Sequence, residues 1–155
     1  MRLIAKSIFI TAVFLMLISS FVYCQTVSIN DLLKQYNNAT EVQKQEIIDT
    51  YKYKSIAVRG SVEDVQVWAS FDERSDKPGR YYKVNTKQQT LEPGVSYQII
   101  IFYKDKSIVD SFIKGQQINT NGALVKIIDE PGMLSVWVYA DELTPEDKVM
   151  FGAYL

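Results

Sequence analysis

The stretch Tyr53 to Trp68, YKSIAVRGSVEDVQVW, restricts this chain to few folds. Its apolar residues run Ile56, Val58, Val62 with Gly60 in the same phase, which is the two-residue period of a strand with one buried face. After Glu63-Asp64 the phase slips by one residue, so that Val65 and Val67 are expected to point inward. A one-residue slip beside a glycine is what a bulge at the corner of a closed sheet requires. The stretch therefore predicts the long, bent first strand of a small β-barrel.

Ahead of it lies helical pattern. Ser28 and Asp31 open a helix whose Ile29, Leu32, Leu33 and Tyr36 share one face, and Asn37-Asn38 interrupts it. Thr40 with Gln43 three residues on is a capping-box pair for a second helix, with Val42, Ile47, Ile48 and Tyr51 expected to face the core. Beyond the first strand, the charged run Phe71 to Arg80 contains a Pro-Gly turn, and Tyr81 to Asn85 is the second strand. Lys87 to Gly94 is expected to be a turn. Tyr97 to Tyr103 is a third strand, apolar on both faces and so expected to be covered on both sides. Ser107 to Lys114 predicts a short helix stopped by Gly115, Gln117 to Ile128 a fourth strand, and Met133 to Ala140 a fifth. Thr144-Pro145-Glu146-Asp147 starts a last helical turn, and the apolar Met150-Phe151 is expected to dock on the domain itself.

Strand, strand, strand, helix, strand, strand is the order of a five-stranded OB-fold barrel with a helix between strands 3 and 4. The lead Tyr51-x-x-Lys54, the run Ile56-x-Val58-x-Gly60-x-Val62-x-x-Val65 and the glycines of Lys114-Gly115 and Gly122 resemble exported OB-fold domains of the tRNA_anti-like type. The resemblance covers about residues 40 to 143, and its motifs are glycines and alternation rather than catalytic groups. It implies a barrel over residues 54–143, an N-terminal helical segment packed on it over 25–53, and a C-terminal tail over 144–155. By the family's name alone it also implies single-stranded nucleic acid as a ligand class.

The first 24 residues have the form of a secretory signal peptide. Arg2 and Lys6 precede the apolar run Ile8 to Ile18, which is too short to span a bilayer comfortably, and Ser19-Ser20 follow. Cleavage is expected after Cys24, giving an exported, periplasmic or secreted chain. The alternative is lipidation of Cys24, although Tyr23 sits where a lipobox wants a small residue, and an uncleaved anchor is the third reading. Loss of Arg2 and Lys6 leaves 15 Lys and Arg against 18 Asp and Glu, a net charge of −3. That balance argues against a dedicated nucleic-acid or anionic-membrane binder, both of which draw affinity from phosphate neutralisation.

The chain has no His, and its one Cys is Cys24. A usual zinc site, a Ser-His or Cys-His nucleophile pair and a histidine general base are thereby excluded, and no cofactor is expected. Asp72, Glu73, Asp76, Asp129 and Glu130 follow no calcium-loop spacing and are expected to be solvated. Arg59 beside Glu63 and Asp64 suggests a surface ion pair more than a calcium-dependent nuclease site. Most routes to an enzyme are thereby closed, and binding is the expected function. OB barrels take ligands on the face of strands two and three, and here Tyr81 or Tyr82, Lys83, Tyr97 and Tyr103 are the candidates, flanked by Trp68, Phe71, Arg74, Lys77, Arg80 and Trp137. Aromatic surfaces beside Lys and Arg suit a protein, peptide or glycan of the envelope as partner. The same tyrosines also suit plain barrel packing.

Overall fold

The computed structural model describes residues 26–69 and 80–152. The signal segment, Cys24 and most of the charged loop, with Phe71, Arg74 and Lys77, lie outside the described residues. Elements follow in the order β1 (Val27–Ser28), α1 (Ile29–Asn37), α2 (Glu41–Tyr51), β2 (Ser55–Ala69), β3 (Arg80–Thr86), β4 (Gln89–Glu92), β5 (Val95–Tyr103), α3 (Lys106–Asp110), β6 (Gln117–Glu130), β7 (Met133–Tyr139) and α4 (Pro145–Gly152). The described residues are mostly β, with four helices.

The strands form a ring. β2 pairs β3, β3 pairs β5, β5 pairs β7, β7 pairs β6, and β6 returns to β2. All these pairings are antiparallel except β5 with β7, which run parallel. The 15-residue β2 makes the closure possible. Its first half, Ser55 to Ser61, pairs with β6, and its second half, Val62 to Ala69, pairs with β3. The register shifts between Val62 and Asp64, where the sequence pattern slips. Gly60 is needed just before that corner, because a Cβ there would lie 2.7 Å from Cγ2 of Thr86. On β6, a Cβ on Gly122 would lie 2.5 Å from Cγ1 of Val138 and 2.7 Å from the carbonyl oxygen of Tyr139. Both glycines let neighbouring strands approach where the ring turns.

Alternation gives the ring an inside and an outside. Inward residues Ile56, Val58, Val62, Val84, Ile99, Ile101, Leu124, Leu134, Val136 and Val138 make the main core, each almost wholly buried. Helix α1 adds Ile29, Leu32, Leu33 and Tyr36 to it. Burial at roughly 1.5–3 kcal/mol per large apolar side chain makes this face, rather than helix propensity, the reason α1 forms. Helix α2 carries the expected capping box, with the Thr40 hydroxyl accepting from Gln43 N–H and the Gln43 side chain accepting from Thr40 N–H. It lies more loosely on the ring: Ile47, Ile48 and Tyr51 are half-buried, and Val42, expected to face the core, is 72% exposed. Lys44 fastens α2 to the end of β6 through Asp129, 2.7 Å away.

Four further expectations change. Lys87 to Gly94 contains strand β4, which pairs with β5 through the Pro93–Gly94 turn. The helix after β5 covers Lys106–Asp110 only, because Ser111 turns its hydroxyl back onto the Ile108 carbonyl and Gly115 donates its N–H to Val62 O. Val67 has the inward phase, yet it projects past the packed interior and is 66% exposed. The polar run Asn119-Thr120-Asn121 is regular strand, paired with Ala57, Val58 and Arg59. Among the described residues Arg59 forms no ion pair with Glu63 or Asp64; Asp64 accepts instead from Gln66 and from Val65 N–H. No described helix is long and apolar enough to cross a membrane.

Candidate binding face

The outer surface of the ring is built in rows by strand register. One row runs Gln66, Lys83, Phe102, Tyr139 across β2, β3, β5 and β7. The next runs Asp64, Asn85, Ile100, Trp137 and ends on Lys126 of β6. Trp68 and Tyr81 face each other one row beyond Gln66 and Lys83. Tyr81, Phe102, Val125 and Tyr139 form a second apolar cluster outside the ring, separate from the interior core, with Trp68, Ile100 and Trp137 at its margin.

Helix α4 covers part of this cluster. Phe151 packs against Trp68, Tyr81, Phe102 and Tyr139, with ring centres 5.3–5.9 Å apart, and lies parallel to the Trp68 indole. One turn earlier Asp147 is buried. Tyr81 donates its hydroxyl to Asp147 Oδ1 at 2.5 Å, and Lys104 Nζ lies 2.8 Å from the carboxylate. Thr144 donates both its N–H and its hydroxyl at 2.9 Å, and Asp147 N–H returns a bond to Thr144 Oγ1 at 3.3 Å. That reciprocal pair caps α4, and Pro145 takes the first helical position, as the Thr-Pro-Glu-Asp pattern predicts.

Electrostatics follow from the burial. Desolvation would push the Asp147 carboxyl up, but hydrogen bonds from Lys104, Tyr81 and Thr144 outweigh it and hold the group below the ordinary aspartate value. Tyr81 and Tyr139 shift strongly upward, first through burial and then through the Asp147 carboxylate. Both hydroxyls therefore stay protonated as donors at neutral pH. The site can hold a carboxylate and an aromatic ring together.

The row through Asn85, Ile100 and Trp137 is half-buried. Lys126 Nζ stands 5.5 Å from the Trp137 ring centre, and Trp137 Nε1 is buried without a hydrogen-bond partner among the described residues. This strip carries an indole, an isoleucine and Lys126 beside the Asn85 amide, with Lys83 in the adjoining row. A separate hollow of about 480 Å³ lies between α1 and α2, but its Asn38 and Gln43 side chains are already engaged with Lys34 O and Thr40.

The expected site residues divide between the two sides of the ring. Trp68, Lys83 and Trp137 are outward and belong to this face, and Arg80 pairs opposite Ala69 at the start of β3. Tyr82, Tyr97 and Tyr103 have the inward phase. Tyr97 is buried, with its hydroxyl 2.5 Å from Asn30 Oδ1 and 2.9 Å from Gln89 Oε1, so it ties α1 to β4. Tyr103 packs on Phe112, and burial, helped by the Asp141 charge, pushes its hydroxyl up to about 12. Tyr82 is half-buried against the core. Of the adjacent pair Tyr81 and Tyr82, either of which the sequence offered, the structure puts Tyr81 on this face; the residues missed were Phe102, Lys104, Tyr139 and Asp147. Asp147 at the third position of a Thr-Pro-led helix was the one available signal.

Among the described residues no three acidic side chains converge as a metal site would require. No protein-family model matches the chain, and no curated protein matches it in sequence.

Proposed function

We propose that this chain is an exported, non-enzymatic OB-fold module that binds an envelope partner on the outer face of β3, β5 and β7. The observation that carries the reading is the half-buried strip of Ile100 and Trp137 flanked by Lys83 and Lys126, which leaves an indole and two cations beside a covered aromatic cluster. Support for the OB barrel comes from the strand circuit β2-β3-β5-β7-β6, from the parallel β5–β7 pair, and from α3, which lies between β5 and β6, the third and fourth of those strands in chain order. Support for export comes from residues 1–24, and the resemblance to the tRNA_anti-like type agrees with both. The absence of His, with Cys24 as the one Cys, closes the imidazole- and thiol-dependent routes to catalysis and favours a binding role.

The test is crosslinking of the full chain in its own envelope fraction, comparing wild type with a Trp137→Ala, Lys83→Ala double variant. A protein, peptide or glycan recovered with wild type and lost with the variant supports the reading. Equal recovery, or no specific recovery, refutes it. Single-stranded nucleic acid is the second reading, favoured by Lys126 over the Trp137 ring and opposed by the net charge of −3. Salt-dependent retention of a labelled oligonucleotide would select it.

A further inference from the structure

Strand β2 has one side that the ring does not close. Its ladder to β6 ends at Ser61, and two further bonds, from Val62 N–H to Gln116 O and from Gly115 N–H to Val62 O, complete that join. Beyond Val62 only β3 lies alongside, and among the described residues no backbone bond reaches Val65, Gln66 or Val67 from the opposite side. Val65 N–H donates to its neighbour's carboxylate, Asp64 Oδ1, at 2.8 Å, so Val65 turns its backbone to the open side, and alternation turns Val67 the same way. A row of unpaired N–H and C=O groups is a template for another strand, and proteins blunt such edges by keeping them short or by placing Lys or Pro along them. The edge strands β1 and β4 are two and four residues long. The run Val65 to Ala69, VQVWA, has no Lys, no Pro and no charge. Its Val67 is 66% exposed. Beside Val65 a hollow of about 370 Å³ is walled by Val62 and Phe112, and Ile113, next to Phe112, is 72% exposed.

We propose that this edge pairs antiparallel with the same edge of a second copy of the chain, about a two-fold axis at Val67. A two-fold axis brings like residues together at its centre, so the centre must tolerate its own image. An uncharged, exposed valine does. Each Val67 then exchanges N–H and C=O with its image, each Val65 lies opposite the other copy's Ala69, and the two Val67 side chains, on one face, cover each other. Charge favours the same arrangement. Glu63 and Asp64 precede the run, so an antiparallel pair carries the two acidic ends apart, whereas a parallel pair would set them side by side. The pairing also removes an apolar edge from water without disturbing the ring. None of Lys83, Ile100, Lys126 and Trp137 enters it, so the inference stands apart from the binding-face reading.

The test is analytical ultracentrifugation of the chain as the cell exports it, over a range of concentrations, beside Val67→Lys and Val149→Lys. Wild type should sediment with twice the mass of one chain and dissociate on dilution. Val67→Lys sets two like charges on the axis and should weaken the dimer at least about tenfold. Val149→Lys, at a valine of α4 that is 74% exposed, should leave the dimer unchanged. A wild type that is monomeric throughout overturns the proposal and leaves the edge to a strand of another protein. A Val67→Lys dimer of wild-type affinity, or equal weakening by both variants, overturns it as well. Should Val67→Lys not fold, Val67→Cys decides: its Cα atoms would lie about 5.5 Å apart across the axis, within disulfide reach, so oxidation by diamide must link two copies. No link there, or equal linking of Val149→Cys, overturns the proposal.

Discussion

Replacing Asp147 by Asn keeps the shape of the side chain and removes its charge, which isolates what the carboxylate does. In the structure Oδ1 accepts from Tyr81, and the other oxygen accepts from Thr144 N–H and the Thr144 hydroxyl. The amide can keep the Thr144 cap only by turning its NH₂ toward Tyr81, whose hydroxyl must then accept instead of donate. Charge assistance on three bonds is lost at about 1 kcal/mol each, for a total of about 2–3 kcal/mol. Lys104 adds little, since it is 44% exposed and its pairing is screened. With an m-value of about 1–3 kcal/mol/M, the urea midpoint should fall by roughly 1–2 M. The difference should also depend on pH in one direction. The folded pKa of Asp147 is lowered below 3.8, so its contribution is complete above the unfolded value and disappears as pH falls through the folded one. Urea titrations of both proteins should therefore show a constant gap from about pH 5 to 8 that closes below about pH 4. A gap of the same size at pH 3, or no gap at pH 7, would refute the assignment of a buried, ionised latch.

Two further substitutions test the ring itself. Gly122→Ala places a methyl 2.7 Å from the backbone oxygen of Tyr139, which cannot move aside, so it should cost about 3 kcal/mol or more in thermal unfolding, while Gly152→Ala, with open space around it, should cost nothing measurable. A melting temperature for Gly122→Ala within about 2 °C of wild type would contradict that packing. Thr86→Val is nearly isosteric, but it removes the hydroxyl that donates to Ile99 O and accepts from Ile99 N–H, both at 3.1 Å, and should cost about 1–3 kcal/mol in urea unfolding. Unchanged stability would mean that those two backbone groups find other partners.

Much of the ring was legible because its strongest signals are local. The slip after Val62, Gly60 before it and the two apolar faces of β5 each follow from one stretch read alone, as does the capping box of α2. Strand β4 was hidden, since Gln89 to Glu92 holds one apolar residue, Leu91, and becomes a strand only through its ladder to β5. The binding face was harder. Tyr81 and Tyr82 are adjacent, and alternation says only that one points in and one out; the choice is made by the register of β3 against β2, with Tyr82 opposite Val67 and Val84 opposite Val65. Tyr81 is the outward one. Its burial depends on Phe151, 70 residues away in sequence, so no local pattern could show that the outward tyrosine is covered.

The two apolar clusters also determine how the face can change. Inward Val84, Ile101 and Val138 hold the ring closed, while Tyr81, Phe102 and Tyr139, carried by the same strands, point the other way into the outer cluster. Removing α4 strips the outer cluster of Phe151 and leaves the inner one whole. An eight-residue helix is marginal in water by itself, so its helicity and its docking stand or fall together. Undocking is then a local transition from order to disorder rather than a rearrangement of the ring.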